Sequence, residues 1–341
     1  MASEPVAPDD RGREADSPTE VPPKGWKDVL ARVRAESKDD HVTLLGAGVA
    51  FYGMLALIPG LIALLSLYGL VADTSTVERQ VNDALSGAPE EVQAVMSAQM
   101  SDIAANSTGR AFLAVVIGTV AALWAASAGI GHLMAAINIA YEERETRSFV
   151  RRRGVALLLT IGTTVFVALS FALIAWLPTV LDELPGPTKL MINIARWVVL
   201  APGVMLGLAI VYRLAPDRDD PKWRWATPGA VFAAVVWLIG SIALSVYSAN
   251  VGRFNETYGS LGAVVVLMIW LLIGGIGIIF GAELNAELER QTRKDSTEGA
   301  PMPMGSREAY AADTLGPTAE QVEGDDNSKV PARSLGGTNT P

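Results

Sequence analysis

The chain has 341 residues and a mass of 36.0 kDa; half of its residues are hydrophobic and only 18% are charged, a balance that argues against a soluble globular protein of this size. Cysteine is absent and histidine occurs only at His41 and His132, which excludes disulfide frameworks, thiolate catalysis and Cys/His metal centres; no metal or other cofactor is expected. The formal charge of -9 sits at the two ends: residues 1–23 and 286–341 hold 16 carboxylates against 8 Lys/Arg, while residues 24–285 hold 20 against 19, so no basic field is available to gather nucleic acid.

From the N-terminus, residues 1–24 are rich in Pro, Ser and acids and poor in aromatics, too little apolar surface to offset ordering entropy, and a disordered acidic tail is expected. The first thirty residues hold no apolar run, so the first hydrophobic span is the expected signal anchor in place of a cleavable signal peptide. Trp26, Val29, Leu30 and Val33 then recur at i, i+3, i+4 and i+7 with Lys27, Arg32 and Arg34 between them, the pattern of a helix lying on a membrane interface.

Crossing about 30 Å of hydrocarbon takes roughly 20 helical residues. Six runs are long enough: about 42–72, 111–141, 154–181, 190–212, 225–252 and 257–282, free of Lys, Arg, Asp and Glu except for Arg196 in the fourth. The expected fold is therefore all-α: a polytopic helical bundle of six spans over residues 25–290, in contact with the lipid bilayer, opened by the interfacial helix and flanked by disordered acidic tails at 1–24 and 291–341.

Several features along these spans invite a functional reading. Pro59-Gly60 and Pro202-Gly203 lie near the middle of the first and fourth spans and are predicted to interrupt both helices. Since those spans start on opposite sides, an inverted repeat is one reading and ordinary kinks the other. The outer loop from Asp73 to Gly109 reads as two short amphipathic helices broken at Ser86-Gly87-Ala88-Pro89. Tyr52 in the first span, with His132 and Asn138 in the second, forms a candidate polar path for substrate or protons; the plain alternative is interhelical hydrogen bonding worth about 1 kcal/mol or less. Thr227-Pro228 suggests a helix cap and first-turn proline behind the Trp223 and Trp225 belt. Gly277 and Gly281 offer close approach to another span or another subunit. Glu283, closing the sixth span, is predicted to pair with Arg213 or Arg224, as a structural pin or a gating carboxylate.

Orientation follows from the basic residues. Lys24 to Lys38 holds five, the loop after the second span holds Arg144, Arg147, Arg151, Arg152 and Arg153, the loop after the fourth holds four, and the last tail begins with Arg290, Arg293 and Lys294. The opposite side has only Arg79, Arg110, Lys189 and Arg253, which predicts both termini on the cytoplasmic side of a cell membrane.

Four blocks carry a family resemblance: TyrArgLeuAlaPro at 212–216, TrpArgTrpAlaThrProGly at 223–229, AsnGluThrTyrGlySerLeuGly at 255–262 and GlyAlaGluLeuAsnAlaGluLeu at 281–288. With the GlyValAlaPheTyr and LeuIlePro segments of the first span, residues 25–290 resemble the YihY / virulence factor BrkB family of bacterial inner-membrane proteins. The resemblance implies a six-span helical protein associated with envelope integrity, lipid precursor movement and serum resistance, from a family formerly labelled ribonuclease BN.

The residues argue against nuclease chemistry. Two histidines about ninety residues apart cannot ligate zinc together, the spans supply no converging carboxylates for magnesium, and neither a phosphate loop nor a nucleophile elbow is present. The resulting expectation is a non-enzymatic membrane protein that binds or transports a lipid-related or amphipathic substrate; a non-transporting envelope scaffold is the alternative and a channel the third reading.

Overall fold

A computed structural model of the chain describes residues 10–69, 109–171, 173, 186–250 and 260–329. Among the described residues the regular structure is helical, apart from an isolated antiparallel bridge between Pro221 and Thr297. After a 3-10 turn at Pro18–Glu20 come α1 (Pro23–Asp39), α2 (Val42–Gly69), α3 (Gly109–Ala140), α4 (Phe149–Phe171), α5 (Gly186–Leu214), α6 (Trp223–Asn250) and α7 (Ser260–Glu289). Two short helices, α8 (Tyr310–Asp313) and α9 (Ala319–Lys329), follow. The expected helices of the outer loop 73–109 fall outside the described residues.

Among the described residues, five helices are long and apolar enough to cross a membrane, over Val42–Ala63, Val116–Ala140, Phe149–Ser170, Trp223–Tyr247 and Val264–Glu289. They match five of the six predicted runs. The fourth run lies on α5, whose apolar stretch Val199–Leu214 is shorter; at about 1.5 Å per residue it covers about 24 Å. Helices α2 and α5 continue through Pro59 and Pro202, so the predicted interruptions at Pro59-Gly60 and Pro202-Gly203 do not end either helix. In a membrane helix the donor lost to proline leaves only a local gap that neighbouring groups can cover.

Helix α7 is the hub, packing on α6, α2, α1 and α3. Small residues allow these approaches. A Cβ on Gly229 of α6 would lie 2.0 Å from the Gly281 carbonyl oxygen, and one on Gly281 would lie 2.3 Å from the Tyr212 hydroxyl. Gly277 faces Val236, so the small-residue face of α7 meets other helices of the same chain. The crossing is fastened by polar groups: Asn285 accepts from the Gly229 N–H at 2.7 Å and donates to the Ala226 carbonyl at 3.1 Å, while Tyr212 donates to the Ile278 carbonyl at 2.8 Å. Helix α6 starts at Trp223, one turn before the predicted cap; Thr227 instead back-bonds to the Trp223 carbonyl at 2.7 Å and Pro228 lies inside the helix.

Burial concentrates at the charged end of the bundle. Met134 and Ile137 of α3, Tyr141 directly after it, Tyr212 of α5 and Ile279 of α7 are fully buried there. Further along the spans Leu55, Ile117, Leu158, Leu238 and Ile239 point outward, as lipid-facing side chains do.

The described parts of the segments expected to be disordered tails, residues 10–24 and 291–329, pack at that charged end. Residues 10–22 lie along residues 290–316: Arg293 N–H donates to Arg13 O at 2.8 Å, Thr292 Oγ1 to Ala15 O at 2.7 Å, Gln291 Nε2 to Arg11 O at 2.7 Å and Arg13 Nη2 to Gly316 O at 2.8 Å. Composition missed this because the segments are joined by backbone hydrogen bonds and arginine forks, with little aliphatic surface.

Candidate functional site

Helix α1 is amphipathic twice over. Asp28 and Arg32, spaced i, i+4, point into the packed cap and are each 1% exposed, while Trp26, Leu30, Arg34 and Lys38 run down a different face. Arg32 donates to the Glu287 carboxylate, to the Glu287 carbonyl at 2.8 Å, to Gln291 Oε1 at 2.9 Å and to the Pro317 carbonyl at 2.8 Å. Its guanidinium therefore joins α1, α7 and the C-terminal segment. Asp28 receives both Arg11 at 2.8 Å and the Ala319 N–H at 2.9 Å; burial opposes ionisation, but these two donors outweigh it and hold the carboxyl below its usual range.

Two further buried arginines repeat the pattern. Arg218 forms a bidentate pair with Glu289 at 3.1 and 2.8 Å, both side chains fully buried, and Ser296 donates to the same carboxylate at 2.6 Å. Arg307 donates to the carbonyls of Ala312 at 2.6 Å, Arg293 at 2.8 Å, Met302 at 3.1 Å and Lys294 at 3.2 Å, which ties the chain beyond α7 into a compact knot. Such fork geometry suits arginine and would fail with lysine.

A contrasting cluster lies at the α1–α2 corner, where His41 takes a left-handed φ of 53° and its ring contacts the Lys38 carbonyl at 2.8 Å. Here Asp40 and Glu283 lie beside each other, with Glu36, Asp39, Glu142 and Glu287 around them. Glu283 is 2% exposed and its Oε1 has no hydrogen-bond partner. Burial first, then the neighbouring Glu36 and Asp39 charges, push the Asp40 carboxyl up; burial and Glu287 raise Glu36, against the pull of Arg290, which binds it at 3.2 Å.

Beside this corner, α1, α6 and α7 border a partly open groove of about 500 Å³. Its wall is apolar: Trp26, Leu30 and Val33 of α1, Phe232 of α6, Phe280 and Leu284 of α7. Its polar edge consists of Arg34, Lys38 and Ser37, also from α1.

The predicted site residues separate. Tyr52 and His132 stack face to face, centroids 3.3 Å apart, on an outward-facing surface of α2 and α3. Asn138 lies elsewhere: it is 4% exposed, donates to Glu145 at 3.1 Å and accepts the Asp217 N–H at 2.8 Å, so it fastens the α3–α4 loop to the α5–α6 loop. Those bonds occupy its amide, and the three residues do not line a common path. The predicted ion pair is also absent. Arg213 binds Glu298 at 3.2 Å and approaches Asp220 at 3.7 Å, while Arg224 is exposed and has no carboxylate partner among the described residues. The cause is helix register: Glu283 looks toward α1 and α2, and one turn later Glu287 and Glu289 take the arginines. The sequence does signal this hub, in the Asp28-Arg32-Glu36 stripe on α1, which predicts a second, charged face.

Comparison with known proteins supplies the family. The model of the family described as virulence factor BrkB matches residues 33–304. The ribonuclease-like protein YfkH of Bacillus subtilis (strain 168) is 30% identical over 257 residues, 72% of this chain and 90% of the relative. Proteins named UPF0761 membrane proteins also align. The one from Verminephrobacter eiseniae is 23% identical over 77% of this chain and 62% of its own length, and the one from Alteromonas mediterranea 22% identical over 81% and 92%. The chain thus spans less than two thirds of the Verminephrobacter relative. No solved structure matches. A matched stretch covering most of the chain, together with helices long enough to cross a bilayer, places this chain in the virulence factor BrkB family as a multi-pass membrane protein.

Proposed function

We propose that the protein binds a lipid-related, amphipathic molecule at the cytoplasmic face of a cell membrane and hands it to or from the bilayer. The single observation that carries this reading is the groove beside α1: it is apolar within, partly open, and edged by cations at the end of the bundle where aliphatic spans give way to charge. In this reading α5 supplies the remaining span, the fourth in chain order, and both termini are cytoplasmic, consistent with the basic residues gathered in the loops at the charged end.

The reading is non-enzymatic. Arginines engage carboxylates of the cap, Arg32 at Glu287 and Arg218 at Glu289, and among the described residues no group of three or more His, Asp or Glu side chains is arranged to hold a metal ion. A second reading, a scaffold that docks partners without moving a substrate, draws on the tightly joined cap, which is rigid enough to serve as a platform.

The test is photocrosslinking in native membranes with a phospholipid bearing a diazirine midway along one acyl chain. Adducts concentrated on Trp26, Leu30, Phe232 and Leu284 are expected. Adducts spread evenly over outward-facing residues such as Leu158 and Ile239, with none in the groove, would exclude lipid binding there.

A further inference from the structure

The polar edge of the groove carries information about the ligand that its apolar wall does not. Trp26, Leu30, Arg34 and Lys38 are spaced every four residues, so one stripe of α1 passes from two apolar side chains to two exposed cations along a single groove. Below the cations sits Ser37, which also lines the groove; it is 8% exposed and its hydroxyl has no hydrogen-bond partner. Four other helical hydroxyls are paired within their own helices. Thr160, Thr164, Thr227 and Ser241 all donate to the carbonyl one turn back, at 2.7 to 2.8 Å. A buried hydroxyl without a partner is costly, and a ligand oxygen would satisfy it.

From outside inward the groove therefore offers two cations, one unpaired hydroxyl and an apolar channel. A glycerophospholipid with an anionic headgroup presents the complementary series: phosphate and headgroup charge, ester oxygens, acyl chain. Resting on the lipid-binding reading above, we propose that the groove is a site for a single anionic phospholipid, with Arg34 and Lys38 holding the headgroup, the Ser37 hydroxyl donating to an ester oxygen, and one acyl chain lying between Trp26, Val33 and Phe280. Charge complementarity selects this occupant over a zwitterionic lipid, whose headgroup ammonium would meet the same two cations. A second copy of the chain or an amphipathic peptide would have to bring its own acid to this edge.

Trp26 provides the readout. The full chain and its Trp26→Phe variant are reconstituted in vesicles of equal phosphatidylglycerol and phosphatidylcholine, with bromine on the acyl chains of one lipid or the other, and the Trp26 emission is taken as the difference between the two proteins. Brominated phosphatidylglycerol is expected to quench that emission about fivefold more effectively than brominated phosphatidylcholine, as two cations near the surface allow. In Arg34→Gln/Lys38→Gln the preference should fall to near unity while quenching by both lipids persists. Ser37→Ala should weaken quenching by phosphatidylglycerol without lowering Tm, since its hydroxyl supports nothing else in the fold. Equal quenching by both lipids in the unmodified protein would overturn the anionic selection and leave lipid binding intact. Absence of quenching by either would mean that another chain or a peptide fills the groove, and both readings would fall.

Discussion

The two halves of this molecule along its long axis achieve close packing by opposite means. In the spans, helices approach through missing side chains: Gly229 and Gly281 let α6 and α7 touch backbone to backbone, and the aliphatic residues point away toward lipid. At the charged end the core is built on arginine. Arg32, Arg218 and Arg307 are almost fully buried and reach carboxylates and carbonyls contributed by segments up to 285 residues apart. The difference teaches that an acidic, Pro- and Gly-rich segment can be ordered when a few guanidinium groups satisfy its backbone.

If the arginine core is what orders the charged end, its loss should have the largest effect. Arg32→Met removes one of the two arginines on buried Glu287, leaving Arg290 on the other carboxylate oxygen, and is expected to cost about 3 kcal/mol, read as a lowered Tm in detergent, while Arg32→Met/Glu287→Leu should recover part of it. Equal damage in the single and double variants would show that Arg32 acts through packing alone. The spans should respond to volume and not to charge. Gly229→Ala forces a methyl against the Gly281 carbonyl and is expected to cost about 1–3 kcal/mol, whereas a unchanged Tm would mean that α6 and α7 do not cross as closely as described.

Smaller and confined to the charged end is the effect of pH. Asp40, Glu36 and Glu142 titrate above their ordinary values, with burial the leading cause. Their neutral forms favour the folded state, so that contribution is complete below the ordinary carboxyl pKa of about 4 and fades as pH rises through the raised values. Asp28 and Asp217 titrate low because their donors outweigh burial, so their contribution is present above about 4 and is lost as pH falls through the lowered values. Tm should therefore climb as pH falls through the raised values toward the ordinary carboxyl range of about 4 and drop again in stronger acid. Asp40→Asn should flatten the first limb and leave the second. A Tm that declines steadily from pH 8 downward would show that the paired carboxylates dominate throughout.

How much of this was legible in the sequence tracks the same division. Hydropathy and length sufficed for the spans because the bilayer imposes one solution on every apolar run, and residues 42 to 69 or 223 to 250 could scarcely fold otherwise. Composition also points to the interfacial helix. What stayed hidden was pairing across the chain. Nothing local in the sequence tells Arg32 to choose Glu287, or Arg213 to choose Glu298 over Glu283, because such choices depend on helix rotation and on loops that bring residue 13 beside residue 293. Asn138 belongs here for a related reason: it lies in the apolar stretch of α3, yet the helix ends at Ala140 and its amide bonds to Glu145 and Asp217 in the loops. The groove was invisible too, since its walls come from three helices of which only α1 has a visible stripe.

Hydrogen exchange on the full chain in lipid nanodiscs tests the central claim most directly, by comparing amides of residues 290–316 with those of α6. Protection of both for hours, with Arg293 and Gly316 among the slow amides of the cap, is the expected result. Complete exchange of residues 290–316 within seconds, beside a protected α6, would contradict an arginine-built core at the charged end.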